Sequence, residues 1–237
     1  MKALLLAAGL GTRLRPLTNT IPKCLVPIKG KPLLGYWLEM LLANGIEHIY
    51  INTHYLPKVV QLFVRSHPLC AKTTLIHEED LLGTGGTVLK NRRFFDEAFL
   101  LAHADNLTRF DVQAFIKAHQ SRKEGIEITM MTFETDAPKS CGIVEWDQEN
   151  TVIGFHEKVS NPPSNQANAA VYIIEPSVFD FLEALGKEII DFSTEVLPYY
   201  LGRMQVFHNK GYHRDIGTQE SLRLAELQFI PSIRNKI

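Results

Sequence analysis

The stretch Lys2-Ala3-Leu4-Leu5-Leu6-Ala7-Ala8-Gly9-Leu10-Gly11-Thr12-Arg13-Leu14-Arg15-Pro16 decides the fold. Residues 2–7 are a short apolar run ended by glycine, the pattern of a central parallel strand. A signal-peptide core spans about 7–15 apolar residues and ends at a small-residue cleavage site, not in a basic glycine loop. Glycines directly after a buried strand let the backbone approach a ligand and turn its N–H groups toward an anion. The dinucleotide fingerprint needs a third glycine where this chain has Leu14, and Pro16 opposes a helix starting there. G-x-x-x-x-G-K-[ST] is absent. A lone G-x-G is more often a plain turn among exposed basic residues. Here Arg13 and, beyond Pro22, Lys23 would place two permanent cations around one pocket, the arrangement expected for a triphosphate.

Working outward, Pro32 opens a helix whose Leu33, Leu34, Trp37, Leu38, Leu41 and Leu42 form an apolar stripe, and Asn44-Gly45 stops it. Strands follow at 46–53, 73–77 and 98–102, separated by a helix at 57–65 and by Gly83-Thr84-Gly85-Gly86, which leads into a helix through Leu89. A helix over 112–119 has Asp111 as its N-cap. This βαβα grammar predicts a parallel sheet with helices on both sides. The second half changes character. Closely spaced strands are expected at 126–133, 142–146, 152–155 and 169–174, with a hairpin turn at Asp147–Asn150. Short helices at 176–185 and 194–201, a strand at 203–208 and a helix at 218–228 complete it. The expectation is one α/β domain over 1–237: a Rossmann-like three-layer sandwich with a mostly parallel sheet and hairpin insertions. Residues 1–110 form a nucleotide-like first half and 111–237 a second half built around hairpins.

Composition fits this. The 237 residues are 45% hydrophobic and 22% charged, ordinary for a globular chain. With 25 Lys+Arg against 26 Asp+Glu, bulk charge does not suit a nucleic-acid partner. Cys24, Cys70 and Cys141 lie far apart, so neither a disulfide framework nor a cysteine zinc site is expected, and a reducing cytoplasm suits the chain. No segment approaches the roughly 18–20 apolar residues that span a bilayer, so no membrane partner is expected.

The string from Leu4 to Pro32 resembles the signature of the sugar-1-phosphate nucleotidyltransferases: A-G-x-G-T-R-x-x-P-x-T, then P-K-x-x-x-P and G-K-P. Leu82-Gly83-Thr84-Gly85-Gly86 resembles that family's nucleobase and ribose loop. Asp105 falls where the family has a strand-end Asp. Cys141-Gly142-Ile143-Val144, Glu157-Lys158, Asn168-Ala169-Ala170-Val171-Tyr172 and Asp215-Ile216-Gly217-Thr218 resemble its later motifs, in order. Its look is closest to short guanylyltransferases of mannose or heptose 1-phosphate and to uridylyltransferases of N-acetylmuramate 1-phosphate. It implies a GT-A-like nucleotidyltransferase fold, with 1–110 as the nucleotide-binding half and 111–237 as the sugar-phosphate-binding half, a nucleoside triphosphate and a sugar 1-phosphate as substrates, and Mg²⁺ as cofactor.

The same resemblance implies the site. Arg13, Lys23, Asp105 and Asp215 are the catalytic candidates, with Asp105 and Asp215 as metal ligands. Leu6, Ala8, Gly9, Gly11, Thr12, Glu78, Gly83, Thr84 and Gly85 would bind nucleotide. Gly142, Glu157, Lys158 and Asn168 would bind the sugar phosphate. An isolated Asp after a strand is usually a turn residue or N-cap, and most Lys and Arg are solvated; Arg15 is as well read that way. A carboxylate at Glu78 can accept from guanine N1–H and the 2-amino group together, but meets repelling carbonyls on uracil or thymine, so GTP is favoured. The alternatives are a uridylyl- or thymidylyltransferase on a glucose or amino-sugar phosphate, and a non-catalytic sensor, whose expected mark would be loss of Arg13, Lys23 or an aspartate. Ala104, Val159 and Ala170 depart from the family pattern, the last two in the sugar region. No hexapeptide repeat is visible, and a homodimer is left open.

Overall fold

The computed structural model describes residues 1–231. Its strands are β1 (Lys2–Leu6), β2 (Pro27–Ile28), β3 (Lys31–Pro32), β4 (His48–Thr53), β5 (Thr73–His77), β6 (Phe99–His103) and β7 (Asn106–Thr108) in the first half. The second half adds β8 (Ile128–Glu134), β9 (Gly142–Trp146), β10 (Val152–Glu157), β11 (Gln166–Ile174), β12 (Met204–His208) and β13 (His213–Asp215). The α-helices are α1 (Leu33–Ala43), α2 (Pro57–Ser66), α3 (Gly83–Lys90), α4 (Val112–Gln120), α5 (Val178–Ala184), α6 (Phe192–Glu195) and α7 (Gln219–Gln228).

One nine-stranded sheet runs β10-β9-β11-β6-β1-β4-β5, with β8 paired to β11 and β12. β1 lies parallel between β4 and β6, and β4 is parallel to β5, as the βαβα reading requires. β11 then runs antiparallel to β6, so the second half joins as hairpins. Burial in β1 explains its continuous apolar run. Ala3 and Leu5 pack into a layer with α1, α2 and α4 through Leu34, Trp37, Val60 and Phe115. Leu4 and Leu6 pack into the opposite layer with α3, α5 and α6 through Val88, Leu182 and Phe192. Each fully buried side chain of this size contributes about 1.5–3 kcal/mol, so a polar residue at Leu4 or Leu5 would cost one whole layer its centre.

Local signals set most of the boundaries. Gly45 takes φ 89° just past α1, and the Asp111 side chain accepts from Ala114 N to cap α4. Asp147 closes the β9–β10 hairpin by accepting from Glu149 N and Thr151 N. Two elements differ from the sequence expectation. The glycines at 83–86 do not precede α3 but form its first turns. A Cβ on Gly85 would lie 2.7 Å from Ile190 Cγ2 and one on Gly86 2.1 Å from Glu188 O, so close packing of the 188–190 segment overrides their poor helix propensity. The region 194–201 is not one helix: α6 ends at Glu195, and Leu197–Tyr200 forms a separate 3-10 turn.

A third, smaller cluster frames the site. Leu14 and Val26 from the glycine loop, Leu107 from β7, Ile216 after β13 and Ala225 from α7 are buried together. This clamps the loop carrying Arg13 and Lys23 against the antiparallel β7–β13 ribbon, where Asp215 pairs with Asn106.

Candidate active site

The first β–loop segment is built for a backbone that bends away from the sheet. Ala7 N donates to the buried Asn52 Oδ1 at 2.6 Å, tying the start of the loop to β4. Gly11 has φ 63°, and a Cβ there would meet Thr18 Cγ2 at 3.0 Å, so only glycine makes this turn. Leu6 and Ala8 are buried, Gly9 and Thr12 are exposed, and Gly9 has open space on its Cβ side.

Beyond the loop, Lys23 is 8% exposed and its ammonium donates to two carboxylates: Asp105 Oδ2 at 2.6 Å and Asp215 Oδ1 at 3.0 Å. Burial pulls the Lys23 pKa down, but the Asp105 and Asp215 charges outweigh it and hold it above the ordinary lysine value. Burial likewise pushes Asp105 up, and Lys23 outweighs this and holds it below the usual carboxylate range. Arg13 Nη2 stands 4.0 Å from Asp215 Oδ2, with a largely exposed guanidinium. Asp105 follows β6, but Asp215 reaches it through the β7–β13 ribbon, held by Trp37 Nε1 donating to Asn106 O at 2.9 Å and Asn106 Nδ2 to Ala169 O at 3.1 Å.

A cleft of about 820 Å³ opens here. Its walls include Arg13, Lys23, Asp105, Gly142, Glu157, Lys158, Asn168 and Asp215, which gathers the phosphate, metal and sugar candidates in one space. Gly142 makes room for Glu157 itself: a Cβ would stand 2.5 Å from Glu157 Oε2. Glu157 pairs with Lys158 Nζ at 2.9 Å. The Asn168 amide is already engaged, donating to the Tyr172 hydroxyl at 2.6 Å and accepting from Ala170 N at 2.9 Å. Its remaining N–H and lone pair are what it can offer a substrate. The departure at Ala170 has a visible cost, since its φ is 51°, in the left-handed region that favours glycine.

The nucleotide candidates do not share that cleft wall. Thr84 Oγ1 accepts from Phe192 N, and Gly85 N donates to Ile190 O at 2.8 Å, so these groups stitch α3 to the 190–192 segment. Gly83, at φ 71°, packs under Ile190 O. Glu78 is not on the surface. It is 1% exposed, both carboxylate oxygens lack a hydrogen-bond partner, and its backbone continues the ladder by donating to Thr53 O. A buried carboxylate with no donor from the protein is costly, and a ligand that donates to it recovers that cost.

Sequence reasoning missed His213. On β13 it shares a face with Asp215, two residues on, lines the cleft and packs on Phe133 with ring centroids 4.2 Å apart. Burial and Arg214 pull its pKa to about 3, so the ring is neutral. A three-residue strand gives no period to read, which is why it was invisible. Cys24, next to Lys23, is fully inside, and burial pushes its thiol up to about 12, so it is no nucleophile.

Two carboxylates turned to one point in an open cleft fit a hard divalent cation that keeps water or phosphate oxygens as its other ligands. Among the described residues no cluster of three or more acidic, His or Cys side chains is placed to hold a metal ion.

The model of the Nucleotidyl transferase family matches residues 2–230, and the chain belongs to that family. It is 32% identical to the mannose-1-phosphate guanylyltransferase of Mycobacterium tuberculosis over 92% of this chain and 61% of that protein. It is also 32% identical to the UTP–glucose-1-phosphate uridylyltransferase of Synechocystis sp. over 84% of this chain and 54% of that protein. The chain thus spans less than two thirds of the length of these relatives. Among solved structures, HddC from Yersinia pseudotuberculosis complexed with GMP-PN superposes with a TM-score of 0.79, at 25% identity over 97% of this chain and 99% of that one. Among the described residues no helix is long and apolar enough to cross a membrane.

Proposed function

We propose that this chain joins a sugar 1-phosphate to a nucleoside triphosphate, giving a nucleoside-diphosphate sugar and pyrophosphate. A phosphate oxygen of the sugar attacks the α-phosphorus, the bond to the β-phosphate bridging oxygen breaks, and pyrophosphate leaves in line. The nucleophile is already an anion, so no general base is needed. The barrier is the meeting of several negative charges, and catalysis is positioning plus charge neutralisation. The observation that carries this reading is the convergence of Lys23 on Asp105 and Asp215 in a cleft shared with Glu157 and Lys158.

Arg13 receives the triphosphate and the departing pyrophosphate. Lys23 neutralises the α-phosphate, and Lys158 grips the sugar phosphate. Glu157 accepts from sugar hydroxyls, and Asn168 adds its remaining amide capacity. Asp105 and Asp215 would hold Mg²⁺, which when bound supplies positive charge to the phosphates. The glycine loop (Leu6, Ala8, Gly9, Gly11, Thr12) and Gly83, Thr84 and Gly85 shape the nucleotide half. The unpartnered Glu78 carboxylate favours guanine, which presents two adjacent donors, and the guanylyltransferase relatives support GTP. The uridylyl alternative keeps support from the Synechocystis relative. The cytoplasm suits such a reaction, and self-association is open to sizing in solution. A matrix of four triphosphates against several sugar 1-phosphates, read by pyrophosphate release, tests the reading. Pyrophosphate release from GTP with one sugar phosphate is the expected result, and no release in any cell of the matrix overturns it.

A further inference from the structure

Lys23 occupies an unusual position for a phosphate ligand. Its ammonium is not held out into the cleft but sits between the two carboxylates, 2.6 Å from Asp105 Oδ2 and 3.0 Å from Asp215 Oδ1. Two acidic side chains facing one point repel each other unless a cation stands there. With Lys23 only 8% exposed, that cation is built into the fold. Resting on the transferase reading above, we infer that Lys23 is the intrinsic counter-ion of the metal position and that a divalent cation and the Lys23 ammonium compete for the same carboxylate oxygens. Before the cation arrives, Lys23 is a positioning residue that keeps Asp105 and Asp215 converged. Once the cation takes the carboxylates, the ammonium is released into the cleft, where the nearest use for it is a phosphate oxygen. The lysine thus becomes a phosphate ligand only in a metal-loaded site, which couples cation binding to nucleotide binding through one side chain.

The geometry supports this over a plain structural ion pair in two ways. The pair is asymmetric: Asp215 is 55% exposed on its side chain while Asp105 is 27% exposed, so one carboxylate has direct access to the cleft from which a cation enters. Arg13 stands 4.0 Å from the other oxygen of Asp215, so a second cation already shares that charge and lowers the cost of withdrawing Lys23.

The test uses Mn²⁺ as the probe on the nucleotide-free full chain, with free Mn²⁺ read by electron paramagnetic resonance. Lys23→Met keeps the length of the buried stem and removes the charge. The expected result is Mn²⁺ binding at least about tenfold tighter in Lys23→Met than in wild type, since an adjacent competing charge is gone, and lost in Asp105→Asn. If wild type binds Mn²⁺, Asp105→Asn loses it, and Lys23→Met binds no tighter, the competition is wrong while the metal assignment stands. If neither wild type nor a folded Lys23→Met binds Mn²⁺, the inference and the metal assignment fall together. A second measurement uses wild type alone, should Lys23→Met not fold. Trace acetylation followed by mass spectrometry should show Lys23 several-fold more reactive with Mg²⁺ than without, while exposed Lys58 on α2 stays unchanged. Equal labelling of Lys23 with and without Mg²⁺ overturns the inference.

Discussion

Two polar clusters mark opposite fates for buried charge. In the candidate active-site cleft, Lys23 meets Asp105 and Asp215, with Arg13 beside them. In a second cleft of about 510 Å³, His119 and Arg122 meet Glu175. There each side chain has its partners within the protein. His119 bonds Thr129 Oγ1 at 2.8 Å and Glu175 Oε1 at 2.9 Å, and Arg122 donates from Nε and Nη1 to the carbonyls of Ile126 and His119. The network holds α4 to β8 and the end of β11. In the candidate cleft the carboxylates keep free oxygen lone pairs, Arg13 is exposed, and the cleft wall continues into Glu157 and Lys158. A satisfied cluster stabilises a fold; one with capacity left over receives a substrate.

The sharpest way to break this contrast is at the carboxylates. Asp105→Asn and Asp215→Asn should each lower kcat/KM by at least about a thousandfold, roughly 4 kcal/mol, through lost cation binding, while circular dichroism stays native. Near-normal turnover of either variant at limiting Mg²⁺ removes that residue from the site. Next comes Arg13→Ala, expected to cost about a hundredfold in kcat/KM. Arg13→Lys should recover little of it, because an ammonium does not reproduce the planar fork; wild-type kinetics in Arg13→Lys would refute a bidentate role.

The base edge gives a smaller effect. Glu78→Gln should shrink the GTP-over-UTP ratio of kcat/KM by about 1–3 kcal/mol, the usual result of mismatching a buried hydrogen-bond pair. An unchanged ratio would assign base reading to backbone groups instead.

The satisfied cluster should behave oppositely. His119→Ala should lower stability by about 1–2 kcal/mol, seen in Tm, with kcat/KM untouched. Burial, against the pull of Glu175, holds the His119 pKa below its ordinary 6.5. The unfolded chain therefore takes up this proton at a higher pH than the folded one. The stability is present above about pH 6.5 and is lost as pH falls below it, and His119→Ala should flatten that part of the Tm profile. A slope identical in both proteins would exclude His119 as its source. Smallest of all, Ala170→Gly should relieve the left-handed φ of 51° and raise stability by up to about 1 kcal/mol, a shift of a few degrees in Tm. A lower Tm would mean that the Ala170 methyl contributes more than its backbone costs.

Much of this was legible before any coordinates. β1 announced itself because both its faces are buried, so its sequence has no polar alternation to blur it. Thr73–His77 and Gly142–Trp146 fall where their β-branched runs put them. The resemblance picked out Lys23, Asp105 and Asp215, which the fold brings together. Less legible was how they meet, because β7 and β13 are three residues each and owe their existence to pairing with each other. The glycines of α3 misled for a related reason: their need is set by Ile190 and Glu188, more than a hundred positions away, and no local rule sees that far. His213 carries no motif at all, and its place beside Asp215 emerges only when β13 forms.

That ribbon also has a consequence in time. Lys23 and Asp105 are made early, and the first four parallel strands can come together as soon as Phe99–His103 has been synthesised. Asp215 follows more than a hundred residues later, after every strand of the central sheet. On the ribosome the second carboxylate is therefore the last of the three charges to be made, and the cluster of Lys23, Asp105 and Asp215 is complete only after every strand of the central sheet has been synthesised.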